Sequence, residues 1–150
     1  MQFTQKETGL LKELKEQEKV CAEKYSKHSA AAIDAQLKTL FNRFAEVERG
    51  HLDTLTKIEG GTVPQPGGQK QPTATFSAFY GAAENSDKSA DCFLCSDLLA
   101  SEKHASSLYD SCIFEFRDEN VRNALNHIQK EEQEHGKQIY DYMSVNNMYG

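Results

Sequence analysis

An internal repeat constrains this chain more than any other feature. Shifting the first half by 84 residues places Leu14 on Leu98, Glu18 on Glu102, Tyr25 on Tyr109, Asp34 on Asp118, Glu48 on Glu132 and His51 on His135. In each half the two glutamates stand 30 residues apart. The second glutamate opens a Glu-x-x-His tetrad, E-R-G-H at 48–51 and E-Q-E-H at 132–135. Residues three apart share a helix face, so each tetrad presents a carboxylate and an imidazole side by side. A spacing of 30 residues suits a helical hairpin that rises, turns and returns to the same height.

The breakers agree with that reading. All three prolines, Pro64, Pro66 and Pro72, fall in G-G-T-V-P-Q-P-G-G-Q-K-Q-P at 60–72. The flanking segments, 1–59 and 89–150, are rich in Leu, Glu, Lys, Gln and Ala, all good helix formers. Apolar side chains recur every three or four residues, as in Leu37, Phe41, Phe44, Leu55 and again Val121, Leu125, Ile128, Ile139. Asp34 and Asp118 have the character of N-caps, and Gly60–Gly61 of a helix stop. The expected fold is all-α, a four-helix bundle forming one domain over residues 1–150. Its hairpins span about 4–59 and 89–144, and a long crossover at about 60–88 joins helices 2 and 3.

Glu18, Glu48, Glu102 and Glu132 interrupt stripes that are otherwise apolar. A buried carboxylate is costly unless it is paired, neutralised or bound to a metal. Any one of these residues alone reads as an ordinary solvated side chain; their shared face and repeated spacing argue for a common site. In a bundle, inward side chains at one level converge. Two helices each supplying Glu, and two each supplying Glu-x-x-His, form the ligand set of di-iron and di-manganese carboxylate bundles. The candidate metal ligands are therefore Glu18, Glu48, His51, Glu102, Glu132 and His135. Two iron ions, alternatively manganese, would balance four negative charges, and the lack of thiolate disfavours a structural zinc site.

Other residues carry weaker expectations. Tyr25 and Tyr109 lie two turns after Glu18 and Glu102, and either orient a ligand carboxylate by a hydrogen bond or simply fill the core. Cys92 and Cys95 form a C-x-x-C near the start of helix 3. A helix N-terminus acidifies a thiol and makes it redox-active; the alternative is packing as small apolar groups, which is the only reading for Cys21 and Cys112. Glu131 and Glu134 are expected to face solvent, and His28, His104 and His127 to be peripheral.

The net charge of −6 argues against a nucleic-acid binder. No run of about 18 apolar residues is present, so no membrane span is expected. The opening stretch, M-Q-F-T-Q-K-E-T-G-L-L-K, threads charges through any apolar region and does not read as a secretory signal. Four irregularly spaced cysteines do not make a disulfide framework. A cytoplasmic protein is expected.

The paired motifs and their long crossover resemble the ferritin-like superfamily, rubrerythrin in particular. More closely, S-E-K-H-A-S-S-L-Y-D-S-C-I-F-E-F-R-D at 101–118 and A-L-N-H-I-Q-K-E-E-Q-E-H-G at 124–136 resemble the spore coat F-like proteins of endospore-forming bacteria. The resemblance implies a ferritin-like bundle. Glu18 and Glu102 would be terminal ligands, Glu48 and Glu132 would bridge, and His51 and His135 would each cap one metal. Two departures stand out: rubrerythrin carries a further carboxylate where this chain has Ala105, and a rubredoxin module with two cysteine pairs where this chain has only Cys92–Cys95. The implied partners are metal ions, oxygen or peroxide, and other spore coat proteins; exposed bundle faces are compatible with a homodimer. Two functions follow: oxygen, peroxide or ferrous-iron redox chemistry, or a structural place in the spore coat with the metal pair stabilising the bundle.

Overall fold

In a computed structural model that describes residues 2–66 and 73–148, the chain forms four helices and, among the described residues, no strand. They are α1 (Gln5–Ala31), α2 (Ala35–Glu59), α3 (Ser86–Ile113) and α4 (Glu119–Val145). The expected all-α four-helix bundle is what the chain adopts. Part of the crossover, residues 67–72 with Pro72 and the Gly67–Gly68 pair, lies outside the described residues.

Local chemistry sets the helix ends. Thr4 and Glu7 form a reciprocal capping box at the start of α1. Asp34 and Asp118 are the N-caps anticipated from the sequence, accepting from the backbone N–H of Gln36 and Val121. Asn85 caps α3 through the N–H of Lys88, which starts that helix three residues before the expected boundary. Gly60 ends α2, and Gly61 follows with φ of +95°, a conformation that favours glycine.

Packing runs around a ring: α1 lies against α2 and α3, and α4 lies against α2 and α3. Tyr25 reaches Glu102 while Tyr109 reaches Glu18, so α1 and α3 are antiparallel. Arg43 meets Gln138 while His51 meets Glu131, so α2 and α4 are antiparallel too. It follows that α2 and α3 run parallel but stand diagonally rather than as neighbours. The crossover must therefore climb the length of the bundle. It does so over α2 and α4: the Ala74 N–H donates to Gln138, Ser77 and Gln36 exchange hydrogen bonds, and the Phe79 and Tyr80 N–H groups both donate to Asn146 Oδ1.

The repeat thus becomes a pseudo-two-fold axis perpendicular to the bundle. Equivalent residues exchange ends: Leu14 packs with Tyr109 and Leu125 in one apolar cluster, while Leu98 packs with Tyr25 and Phe41 in the other. The four glutamates and two histidines belong to neither cluster; they form a polar layer between the two.

A second symmetric pair ties each hairpin to the turn of the other. Asp91 of α3, fully buried, accepts from the N–H groups of Ile33 and Asp34 in the α1–α2 turn, at 2.9 and 3.0 Å. Its repeat partner Glu7 accepts from the N–H and guanidinium of Arg117 in the α3–α4 turn, at 3.1 and 3.2 Å. Burial works to raise Glu7, but the hydrogen bonds from Thr4 and Arg117 hold it below the usual carboxylate value.

Candidate metal centre

Each helix supplies one glutamate to the polar layer, and α2 and α4 each add a histidine one turn further on. Exposure of Glu18, Glu48, Glu102 and Glu132 is 0–3%, and of His51 and His135 4%. Two groups form. Ligand atoms of Glu18, Glu48, His51 and Glu132 all lie within 4.8 Å of one another, as do those of Glu48, Glu102, Glu132 and His135. Glu48 and Glu132 belong to both groups. Ligands on opposite sides of one divalent ion, each at about 2.1 Å, stand about 4.2 Å apart, so each group has the compass of a single ion.

Hydrogen bonding tests whether ions fit. Glu18 Oε2, Glu48 Oε1, Glu102 Oε1 and both oxygens of Glu132 are buried and accept no hydrogen bond. Leaving one buried polar atom unmade costs about 1–3 kcal/mol, more when it is charged. Five such oxygens aimed into one layer fit two divalent cations.

The remaining carboxylate oxygens are held in place. Tyr25 donates to Glu102 Oε2 at 3.0 Å, and Tyr109 donates to Glu18 Oε1 at 2.5 Å. The acceptor in each case is on the opposite hairpin, not on the tyrosine's own helix. Both tyrosines are also fully buried, so they fill the core and orient a carboxylate at once.

The histidines differ. His51 Nδ1 faces Glu132 Oε1 at 2.9 Å and Glu48 Oε2 at 3.1 Å, while Nε2 lies 2.9 Å from Glu131 Oε1. Glu131 was expected in solvent. Instead it turns along the α2/α4 groove and its side chain is only 18% exposed, because His51 projects from α2 within its reach. The His51 hydrogen bond holds the Glu131 carboxyl below its ordinary value. Burial opposes charge on His51, but the four surrounding glutamates, Glu131 first, push it well above its ordinary value. His135 has Nδ1 2.8 Å from Glu102 Oε2 and stacks on Phe44 at 4.0 Å between ring centres. Burial drives His135 down to about 4. Burial also raises Glu48 and Glu102 well above the carboxylate range, each helped by neighbouring carboxylates. Burial works to raise Glu132, but the nearby Glu102 carboxyl and His51 ring outweigh it and hold the group at about 2. Without ions the layer must keep protons, as like charges at close range require.

The cysteines are all free. Because α3 starts at Ser86, Cys95 sits in its third turn, fully buried, and burial together with Asp91 pushes its thiol far above the ordinary value. Of the two readings open for the pair, Cys95 takes the packed one and not the acidified one; Cys92 beside it is half-buried. Cys21 lies near the polar layer, and burial and Glu48 push its thiol well above the ordinary value. His28 is not merely peripheral, since its Nε2 lies 2.7 Å from Asp97 and links α1 to α3. His127 stands 3.4 Å from Glu131, and His104 is exposed.

Glu131, Glu7 and Asp91 escaped the sequence reading. A signal was present for the last two, since the same 84-residue shift places a carboxylate at both positions. None existed for Glu131, whose repeat counterpart is Val47.

Fold and centre together define an all-α four-helix bundle enclosing a buried layer of four glutamates and two histidines. Residues 90–150, comprising most of α3 and all of α4, match the family model of the Coat F domain. No curated protein and no solved structure matches the chain. Among the described residues, no helix is long and apolar enough to cross a membrane.

Proposed function

We propose that this chain is a spore coat component whose bundle is held together by two divalent metal ions, iron or manganese. The Coat F match over 90–150 supports the coat assignment, with other coat proteins as partners. One observation carries the metal assignment: five buried carboxylate oxygens without hydrogen bonds, grouped around two positions that share Glu48 and Glu132. Glu18 and His51 would complete one ion's set, and Glu102 and His135 the other's, with Glu48 and Glu132 between them. Kinship with the ferritin-like superfamily is part of the same proposal and rests on this ligand pattern and on the crossover between parallel α2 and α3.

Elemental analysis of the purified chain beside a Glu48→Ala/His135→Ala variant tests the centre. About two iron or manganese ions per chain, lost in the variant, are expected for a ligand set of this kind. A wild-type chain that takes up no ion after anaerobic addition of ferrous iron would sink the assignment. For the coat, fractionation of spores should place the protein in the coat layer, and its absence from spores would refute that half.

A second reading is favoured by the sharing of Glu48 and Glu132, which would hold two ions close enough to act on one small molecule. Iron bound in such a pair supplies electrons to oxygen or peroxide, while the protein sets access and orientation. Here Tyr25 and Tyr109 would keep Glu102 and Glu18 in place, and the two apolar clusters would exclude water above and below the layer. If the iron-loaded, reduced protein is oxidised no faster than free ferrous ion by either oxidant, this reading fails and the structural one stands.

A further inference from the structure

The two hairpins are related by the repeat, yet they close over the polar layer differently. Between α1 and α2, at the level of Glu18 and Glu48, stand Ala22 and Ala45, both buried. Their counterparts between α3 and α4 are Ser106 and Gln129. Both are only partly buried, and the Gln129 amide donates to the Ser106 carbonyl at 2.9 Å. One turn beyond Glu48 and Glu132, Leu52 on α2 is matched by Gly136 on α4. Two alanines let helices approach, whereas a glutamine holds them apart and a glycine leaves the space beside it unfilled. A pocket of about 480 Å³ results on the α3/α4 face, with Glu102 and Glu132 in its lining and Lys103 and Asp110 among its outer residues.

The glutamates in this pocket are not solvated. Glu102 and Glu132 are 3% and 1% exposed, and Glu102 Oε1 and both Glu132 oxygens accept no hydrogen bond. Glu102 and Glu132 contribute to the pocket's lining while their free oxygens are closed to water, so a hydrated cation that enters the pocket sheds its waters before it binds them. A second pocket, about 400 Å³ beneath Pro64–Pro66, also reaches the layer, but it does so at His51 and Glu131. There the His51 Nε2 is already engaged by Glu131, so an entering cation meets an occupied nitrogen.

We propose that the α3/α4 pocket is the entrance and first binding site for hydrated divalent cations, with Glu102 and Glu132 as the receiving groups. The inference rests on the dinuclear reading above and adds its route of loading. Gly136 is the place to close the door. A Cβ there would lie 3.8 Å from Leu99 Cδ2, an ordinary contact, so a leucine fits the backbone while filling the seam. Gly50, which lines the other pocket, has open space around it and serves as the control.

The experiment is stopped-flow uptake of cobalt(II) by the metal-free full chain, followed by the visible absorption of the bound ion. Gly136→Leu should slow uptake about tenfold, equivalent to about 1.4 kcal/mol of barrier, with the final number of ions per chain unchanged. Gly50→Leu should load at the wild-type rate. An unchanged rate in Gly136→Leu, or slowing in Gly50→Leu alone, overturns the proposal. Should Gly136→Leu not fold, Lys103→Glu at the exposed rim replaces it. Removing that positive charge should speed cation uptake in a salt-dependent way, and an unchanged rate would again overturn the route. A wild-type chain that binds no cobalt at equilibrium refutes the dinuclear reading instead, so the two failures are distinguishable.

Discussion

His51 is held at both ring nitrogens, by Glu131 on one side and by Glu48 and Glu132 on the other, whereas the hydrogen bonding of His135 runs through Nδ1. The repeat sets Val47 where a counterpart to Glu131 would stand, so the surroundings of the two histidines are unequal. A carboxylate that accepts from the far nitrogen of a ligating histidine fixes its tautomer and raises its basicity. Replacing Glu131 by Ala should therefore weaken the ion on the His51 side about 10–100-fold and leave the His135 side near its wild-type affinity. Anaerobic calorimetric titration with manganese(II) reads both sites. Equal weakening of the two, or of neither, would show that Glu131 does not position His51.

The helices owe their joint geometry to Asp91 and Glu7 as much as to apolar packing. Asp91 accepts two backbone N–H groups in the opposite hairpin's turn and Glu7 accepts one, and Asp91 also accepts from Tyr80 at 2.7 Å, which ties in the crossover. Asp91→Ala would strand two turn N–H groups and the Tyr80 hydroxyl. A loss of about 3 kcal/mol is expected, since bonds to a charged group contribute about 1.5–3 kcal/mol each and relaxation recovers part. Chemical denaturation of the metal-free chain measures it. Glu7→Ala should cost less, because its Arg117 partner is largely exposed and can turn to water. A cost for Asp91→Ala within about 0.5 kcal/mol of zero, as at an ordinary surface position, would refute this account.

At the scale of the whole molecule, the two apolar clusters and the charged layer make opposing demands that pH exposes. Glu48, Glu102 and His51 all have folded values raised above their ordinary ones. Stability from such groups is present below the ordinary values, 4.5 for the carboxyls and 6.5 for His51, and declines as pH rises toward the folded ones. His135 and Glu132 act in the opposite sense, losing stability as pH falls from 6.5 toward about 4 and from 4.5 toward about 2. The metal-free bundle should accordingly be most stable in weak acid. Bound cations must displace the protons on Glu48 and Glu102, so their stabilising effect should grow as pH rises. The gain in Tm on adding manganese(II) is expected to increase steadily from about pH 5 to about pH 8. A gain that stays flat or shrinks over that range would contradict protonated ligands in the metal-free state.

Helix number, the caps at Asp34 and Asp118, the stop at Gly60 and the convergence of six ligand candidates were legible in the sequence by itself. Each depends on periodicity, a local hydrogen bond or the 84-residue repeat, and all of these survive in one dimension. Only the tertiary structure decided that α2 and α3 are diagonal, that each tyrosine serves the other hairpin's glutamate, that Glu131 turns inward to His51, and that Cys95 is buried deep in its helix. It alone also revealed that one seam closes over alanines while the other stands open beside Gly136. Those outcomes depend on which surfaces meet across helices, and a contact between different helices leaves no period in the chain that makes it.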